Sequence, residues 1–175
     1  MTQLFHCLCP VGPLTLAADQ TGLVGLWLDG QKYFAATLPP DAQPCETTLP
    51  IFDQAISWLR GYFDGAKQPP AFPLAPKGSP FRQLVWKKLS VIPYGQLVTY
   101  GELAKQISAE TGRPVSAQAV GGAVGHNPIS LIIPCHRVVG SDGSLTGYAG
   151  GISVKQQLLA LEGHRFDDKG RVRLG

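Results

Sequence analysis

The sequence predicts an α/β protein of two small domains: an N-terminal β-sheet with one helix, and a mainly helical C-terminal domain containing a helix-turn-helix. Three observations predict this division. Short apolar runs broken by Gly turns give way to segments of helical period, a Pro-rich stretch interrupts the chain near its middle, and charge is split unequally about that stretch. Residues 1–75 hold three Lys/Arg against six Asp/Glu, whereas residues 76–175 hold twelve against six.

In the first part, "GPLTLAADQTGLVGLWLDG" reads as two strands, 14–18 and 23–28, joined by a Gly-containing turn into a hairpin. "IFDQAISWLRGYFDG" places Phe52, Ala55, Ile56, Leu59 and Phe63 at helical spacing, with Gly65 as a stop, so one amphipathic helix is expected to pack on the sheet. "AKQPPAFPLAPKG" holds prolines at 69, 70, 73 and 76, too many for a helix or a central strand, and reads as the linker. The domains are therefore placed at 1–77 and 78–175. The second opens with Ser79 as N-cap and Pro80 at the first helical position, followed by Phe81, Leu84, Val85 and Leu89 on one face. "IPYGQLVTYGELAKQI" gives a turn at 93–95 and a helix from about Thr99, and "VSAQAVGGAVGHN" a second helix made almost wholly of small residues. Two short helices with a turn between them resemble a helix-turn-helix. Small residues on a helix serve either to let two backbones approach or to make it thin enough to enter a DNA groove.

At 175 residues and 44% apolar composition the chain can bury a core without staples. Its four cysteines, Cys7, Cys9, Cys45 and Cys135, are too few and scattered for a disulfide framework. No segment approaches the roughly 20 apolar residues of a membrane span, and the N-terminus lacks a secretory signal. A cytoplasmic protein with reduced thiols and no membrane association is expected. The basic second half suits either a polyanion partner or a solvated surface.

"SLIIPCHRVVG" raises the chemical question. The apolar run 131–133 ends at Pro134, so Cys135 is expected where a buried strand or extended segment breaks off. A lone Cys among apolar residues is commonly a small buried hydrophobe. His136 follows at once and Arg137 next, and an imidazole or cation makes a thiol nucleophilic. Neighbours on an extended chain point in opposite directions, so a bridging water is expected between thiol and imidazole. A metal is disfavoured at Cys135, which has no ligand-spaced partner, and at the His6-Cys7-Leu8-Cys9 cluster, which has no second cluster.

"PCHRV", preceded by "GHNPISLII" and followed by "GSLTGYAGGISVKQQLLALEGH", resembles the O6-alkylguanine-DNA alkyltransferase family, also called methylated-DNA--protein-cysteine methyltransferases, over residues 78–165. The resemblance implies that Cys135 accepts the alkyl group, that His136 deprotonates it through a water, and that Glu162 orients the imidazole, with Asn127 completing the hydrogen-bonded chain. Tyr100 would crowd the target phosphate and rotate the nucleotide out. Tyr148, Ala149, Gly150, Ser130 and Val138 would line the pocket for the flipped base. Ala117, Gln118, Ala119, Arg113 and Arg137 would meet DNA. The family's gap-filling arginine aligns with Gln118, and Arg113 is a candidate substitute. Ser130 and Ala149, where some members have proline and serine, suggest a roomier pocket.

The implied activity is direct, irreversible, stoichiometric transfer from O6-alkylguanine, and from O4-alkylthymine, in double-stranded DNA approached from the minor groove. It needs no cofactor and no metal, and it is expected of a monomer that binds DNA cooperatively. A thiolate cannot reach the 6-oxygen of a stacked, paired guanine, so the base must leave the helix. The thioether product is not reversed by thiol exchange. Two rival readings are a non-catalytic DNA-binding regulator, which has no use for Cys135, His136 and Glu162 together, and a cysteine hydrolase, which has no use for a basic groove-binding half.

Overall fold

Apolar runs in the first 28 positions build three antiparallel strands, one more than the sequence pattern predicts. In the computed structural model, which describes residues 1–175, they are β1 (Gln3–Cys9), β2 (Gly12–Asp19) and β3 (Gly22–Leu28). The short β4 (Gln43–Pro44) pairs parallel with β1, giving a mixed sheet of order β3-β2-β1-β4. Phe5 of β1 stacks on Phe52 of α1 (Pro50–Phe63), ring centroids 5.7 Å apart, so the helix covers that face of the sheet. Leu4, one residue back, points to the opposite face and joins Ala17, Val24 and Trp27 under Leu38 and Ala75. The Trp27 indole lies against Gly25, where an added Cβ would meet the ring at 2.0 Å.

Two details differ from the sequence expectation. The buried stripe of α1 is Phe52, Ala55, Leu59 and Tyr62, while Ile56 and Phe63 are only half-buried, because at about 100° per residue they fall on the flanks of that stripe. The Pro-rich segment is also more than a linker. Leu23 donates to the Pro73 carbonyl at 2.9 Å, and Ala75 returns a bond to Leu23 at 2.8 Å. Pro is tolerated there because this is an edge, where its missing N–H costs no ladder bond. Residues 128–132 use the same edge through Leu26 to Pro128 at 2.8 Å and Ser130 to Leu26 at 3.0 Å. The first compact unit is therefore 1–78 with 128–132, and the second is 79–127 with 133–175.

The second unit begins with α2 (Pro80–Ser90), where Ser79 accepts from the Arg82 amide at 3.2 Å. Val85, Trp86 and Leu89 are buried, whereas Phe81 and Leu84 remain half-buried along a groove. Thr99 opens α3 (Tyr100–Thr111) with a capping box: the Glu102 amide donates to Thr99 Oγ1, and the Thr99 amide to Glu102 Oε2, each at 3.1 Å. Gly112, at φ 69°, ends the helix in the left-handed conformation. Ser116 caps α4 (Ala117–Gly125).

Val120, Ala123 and Val124 face inward, and Trp86 Nε1 donates to the Ala123 carbonyl at 2.8 Å. A Cβ at Gly121 would stand 3.7 Å from the Tyr100 ring, so small residues serve close packing on this side of α4. Its first turn, Ala117 to Ala119, is exposed. Val98 of β5 (Val98–Thr99) pairs parallel with Val138 of β6 (Val138–Val139). Then α5 (Ile152–Leu161) buries Lys155, Leu158 and Leu159. No helix is long and apolar enough to cross a membrane.

Candidate active site

Leu131 to Ile133 do not form a strand. Leu131 sits at φ 71°, and Cys135–Arg137 make one turn of 3-10 helix, so the run is apolar because it is buried and not because it extends a sheet. The turn packs the thiol inside the second unit, where Cys135 is 4% exposed. Asn127 Nδ2 donates to the Ile133 carbonyl at 2.9 Å, and the Asn127 side chain also hydrogen-bonds the thiol. Burial pushes the Cys135 thiol up from its ordinary range, while the Asn127 bond and the nearby Lys155 charge oppose the rise.

His136 Nε2 lies 2.6 Å from Glu162 Oε2, both side chains fully buried. An ionised carboxylate only accepts, so Nε2 carries the hydrogen and Nδ1 of the neutral ring holds the free lone pair. Burial holds the imidazole below its usual range even though Glu162 pulls the other way, which keeps it neutral and so able to accept a proton. The other oxygen, Glu162 Oε1, accepts from the Gly95 amide at 2.9 Å and from Arg137 Nε at 2.8 Å.

Arg137 departs from expectation. Its guanidinium is buried, with Nη1 donating to the Ile92 carbonyl at 2.6 Å and Cζ lying 5.7 Å from the Tyr94 ring centroid. It is committed to neutralising Glu162, and its burial leaves little surface for a DNA contact.

Lys155 is the residue that motif reading missed. It is fully buried, and Nζ donates to the Val138 carbonyl at 2.5 Å and to the Thr146 carbonyl at 3.3 Å. Burial pulls it down to about 8, and Cys135 resists that shift. A sequence signal existed: Lys155, Leu158 and Leu159 share the i, i+3, i+4 face of α5, and a lysine at a core position is rarely placed there without a partner. Tyr100 Oη donates to the same Thr146 carbonyl at 2.7 Å. Burial first, then Cys135, pushes its phenol up to about 12.

Tyr148 is buried, and Ala149 and Gly150 beside it are half-buried. The Val138 side chain is buried in the core, so only its backbone carbonyl is left for polar contact. Ser130 belongs to the segment built into the first unit, where its hydroxyl donates to Gln31 Oε1 at 3.2 Å. Ala117, Gln118 and Ala119 project from the exposed first turn of α4, and Arg113 from the exposed turn before it. No group of three or more His, Cys, Asp or Glu is arranged to hold a metal.

This arrangement has known counterparts. Residues 80–164 match the model of the 6-O-methylguanine DNA methyltransferase DNA binding domain, and residues 7–76 that of the ribonuclease-like domain of the same proteins. A methylated-DNA--protein-cysteine methyltransferase of Mycobacterium bovis is 44% identical over 156 residues, 89% of each chain. That of Haemophilus influenzae is 39% identical over 173 residues, covering 97% of this chain and 92% of its own. The crystal structure of Mycobacterium tuberculosis OGT in complex with DNA superposes with a TM-score of 0.79 at 42% identity, covering 92% of this chain and 93% of that one. The chain belongs to the methylated-DNA--protein-cysteine methyltransferase family.

Proposed function

We propose that this protein repairs double-stranded DNA by transferring the alkyl group of O6-alkylguanine, and of O4-alkylthymine, to Cys135 in a single irreversible turnover. The observation that carries this reading is the buried His136–Glu162 pair at 2.6 Å beside an equally buried thiol. Neutral His136 takes the Cys135 proton, relayed by a water, and becomes an imidazolium that Glu162 stabilises. Asn127 and the Lys155 ammonium steady the thiolate. Sγ attacks the alkyl carbon in line: the S–C bond forms, the C–O6 bond breaks, and its electron pair leaves with the guanine. Tyr100 donates its phenolic proton to the departing ring, and the proton that His136 took from Cys135 passes to the phenolate, so that both groups end neutral.

The thiolate cannot reach a stacked base, so the nucleotide is flipped from the minor groove into a pocket at Tyr148, Ala149, Gly150 and the Val138 carbonyl. The exposed first turn of α4 enters the groove, and Gln118 or Arg113 occupies the gap. Residues 78–175 carry both DNA binding and alkyl acceptance, in a cytoplasmic protein that acts as a monomer and binds DNA cooperatively without cofactor or metal. Peptide mass mapping after incubation with an O6-methylguanine duplex tests this. One added methylene, about 14 Da, is expected on the Cys135 peptide alone; its appearance on Cys7, Cys9 or Cys45 overturns the assignment.

A further inference from the structure

The C-terminal hairpin holds an arrangement that alkyl transfer does not use. Phe166 pairs with Val172, flanked by bonds from Asp167 to the Arg171 carbonyl at 2.9 Å and from Arg173 to the Arg165 carbonyl at 2.8 Å. Phe166 and Val172 face inward onto Val139, Leu145 and Leu159. Side chains alternate across a strand, so Arg165 and Arg173 stand opposite each other on the outer face. The next outer pair, Asp167 and Arg171, is neutralised by an ion pair at 2.8 Å, and Asp167 also accepts from the Lys169 and Arg171 amides. Arg165 and Arg173 enter no ion pair. Like charges directly opposite destabilise a sheet, and folding sets these two together without a carboxylate between them.

Arg165 and Arg173 both line a cavity of about 500 Å³ that also includes Gly95, Thr99, Glu102 and His164. The carboxylate of Glu102 is already used in the capping box of α3. His164 Nε2 is buried there and makes no hydrogen bond. The cavity thus sets two arginines and one imidazole nitrogen against a single side-chain carboxylate, that of Glu102. Paired guanidiniums match the oxygens of a phosphate bidentately.

We infer that this cavity binds a backbone phosphate of the DNA, a contact separate from the first turn of α4. The inference rests on the reading under Proposed function. DNA is favoured over a free phosphate ester because Thr99, in the cavity wall, directly precedes Tyr100. On this proposal a strand that delivers its lesion to Tyr100 would set a neighbouring phosphate at the cavity.

The test compares the wild type with Arg165→Gln/Arg173→Gln, which removes a repulsion on an exposed face and is expected to melt no lower. Affinity for an undamaged duplex is expected to fall about tenfold, and the slope of log affinity against log salt to lose about one unit. Methyl transfer from the free base O6-methylguanine is expected to remain at the wild-type rate. An unchanged slope and affinity overturn the site. Inorganic phosphate that raises the wild-type Tm but not that of the variant, with DNA affinity equal in both, overturns the DNA assignment in favour of a free phosphate ligand. A failure of the Proposed function would look different: the wild type itself would neither bind duplex DNA nor accept a methyl group.

Discussion

Lys155 Nζ and Tyr100 Oη converge on one acceptor, the carbonyl oxygen of Thr146, at 3.3 Å and 2.7 Å. The ammonium also lies 5.8 Å from the Tyr100 ring centroid. A single peptide group thus fixes both the cation that favours the Cys135 thiolate and the phenol proposed to act at the lesion. Gly147, next in the chain, keeps this approach open: its φ is 75°, and a Cβ there would stand 3.2 Å from Tyr100 Oη.

Lys155→Met removes the charge that opposes the upward push of burial on Cys135. At pH 7.5 single-turnover transfer is expected to slow about tenfold or more, with the midpoint of the pH–rate profile moving up by about one unit, worth about 1.4 kcal/mol. A rate lowered equally at every pH would mean that Lys155 only supports the fold. Stability gives an independent reading. The unfolded lysine ionises near 10.5 and the folded one near 8, so between these values the unfolded chain holds a proton that the folded chain lacks. Stability attributable to Lys155 therefore rises from about pH 8 to about pH 10.5, by at most about 3 kcal/mol. Cys135, raised by the same burial, contributes the opposite slope, so the comparison belongs in a Cys135→Ser background. Urea unfolding across that window should show the rise in Cys135→Ser and lose it in Cys135→Ser/Lys155→Met.

Glu162→Gln keeps the shape of the side chain but removes the charge that supports His136 and Arg137. Transfer is expected to drop by about 10²–10³, and stability by about 3 kcal/mol, because Arg137 is left buried and uncompensated. Below the ordinary imidazole range the wild type should also hold its rate, since burial keeps His136 neutral there. A wild-type rate that halves at pH 6.5 would contradict that assignment.

The buried cluster of Cys135, His136 and Glu162 was legible in the sequence because its members lie in a contiguous motif, Cys135-His136, and a second short motif around Glu162. Helices α2 and α3 were legible because Ser79 and Thr99 are local signals that act within one turn, and α4 from its run of small residues, whereas α5 opens at Gly151 without a side-chain cap to mark it. What escaped was set by burial. Charge counting treats Arg137 and Lys155 as surface cations, although one is spent on Glu162 and the other on carbonyls near Cys135. Leu131 to Ile133 has the composition of a strand, and only tertiary packing turns it at Leu131. β1 carries no clean alternation, since the adjacent apolar residues Leu4 and Phe5 pack on opposite faces of the sheet, so its pattern does not mark it as a strand.

Arg137→Met separates the two readings of that guanidinium. A buried partner of Glu162 is expected to cost about 3 kcal/mol of stability and to leave the salt dependence of DNA binding unchanged. A slope reduced by about one unit with unchanged stability would restore Arg137 as a phosphate contact.

Gln118 occupies the exposed first turn of α4, the place the family gives to a gap-filling arginine. A neutral amide stacks weakly and gains nothing from the negative potential of the minor groove, so extrusion of the base is less well supported than with a guanidinium. Gln118→Arg is expected to speed single-turnover transfer from duplex DNA, most where the lesion pairs strongly with its partner base. A cation at a helix N-terminus opposes the macrodipole, so the gain should come with a loss of about 0.3–1 kcal/mol in stability. The free base O6-methylguanine needs no flipping, and its reaction rate should not move. Equal duplex rates for the two proteins would show that Arg113, exposed in the turn before α4, already fills the gap. A changed free-base rate would place the effect in the pocket around Cys135 and remove Gln118 from the flipping step.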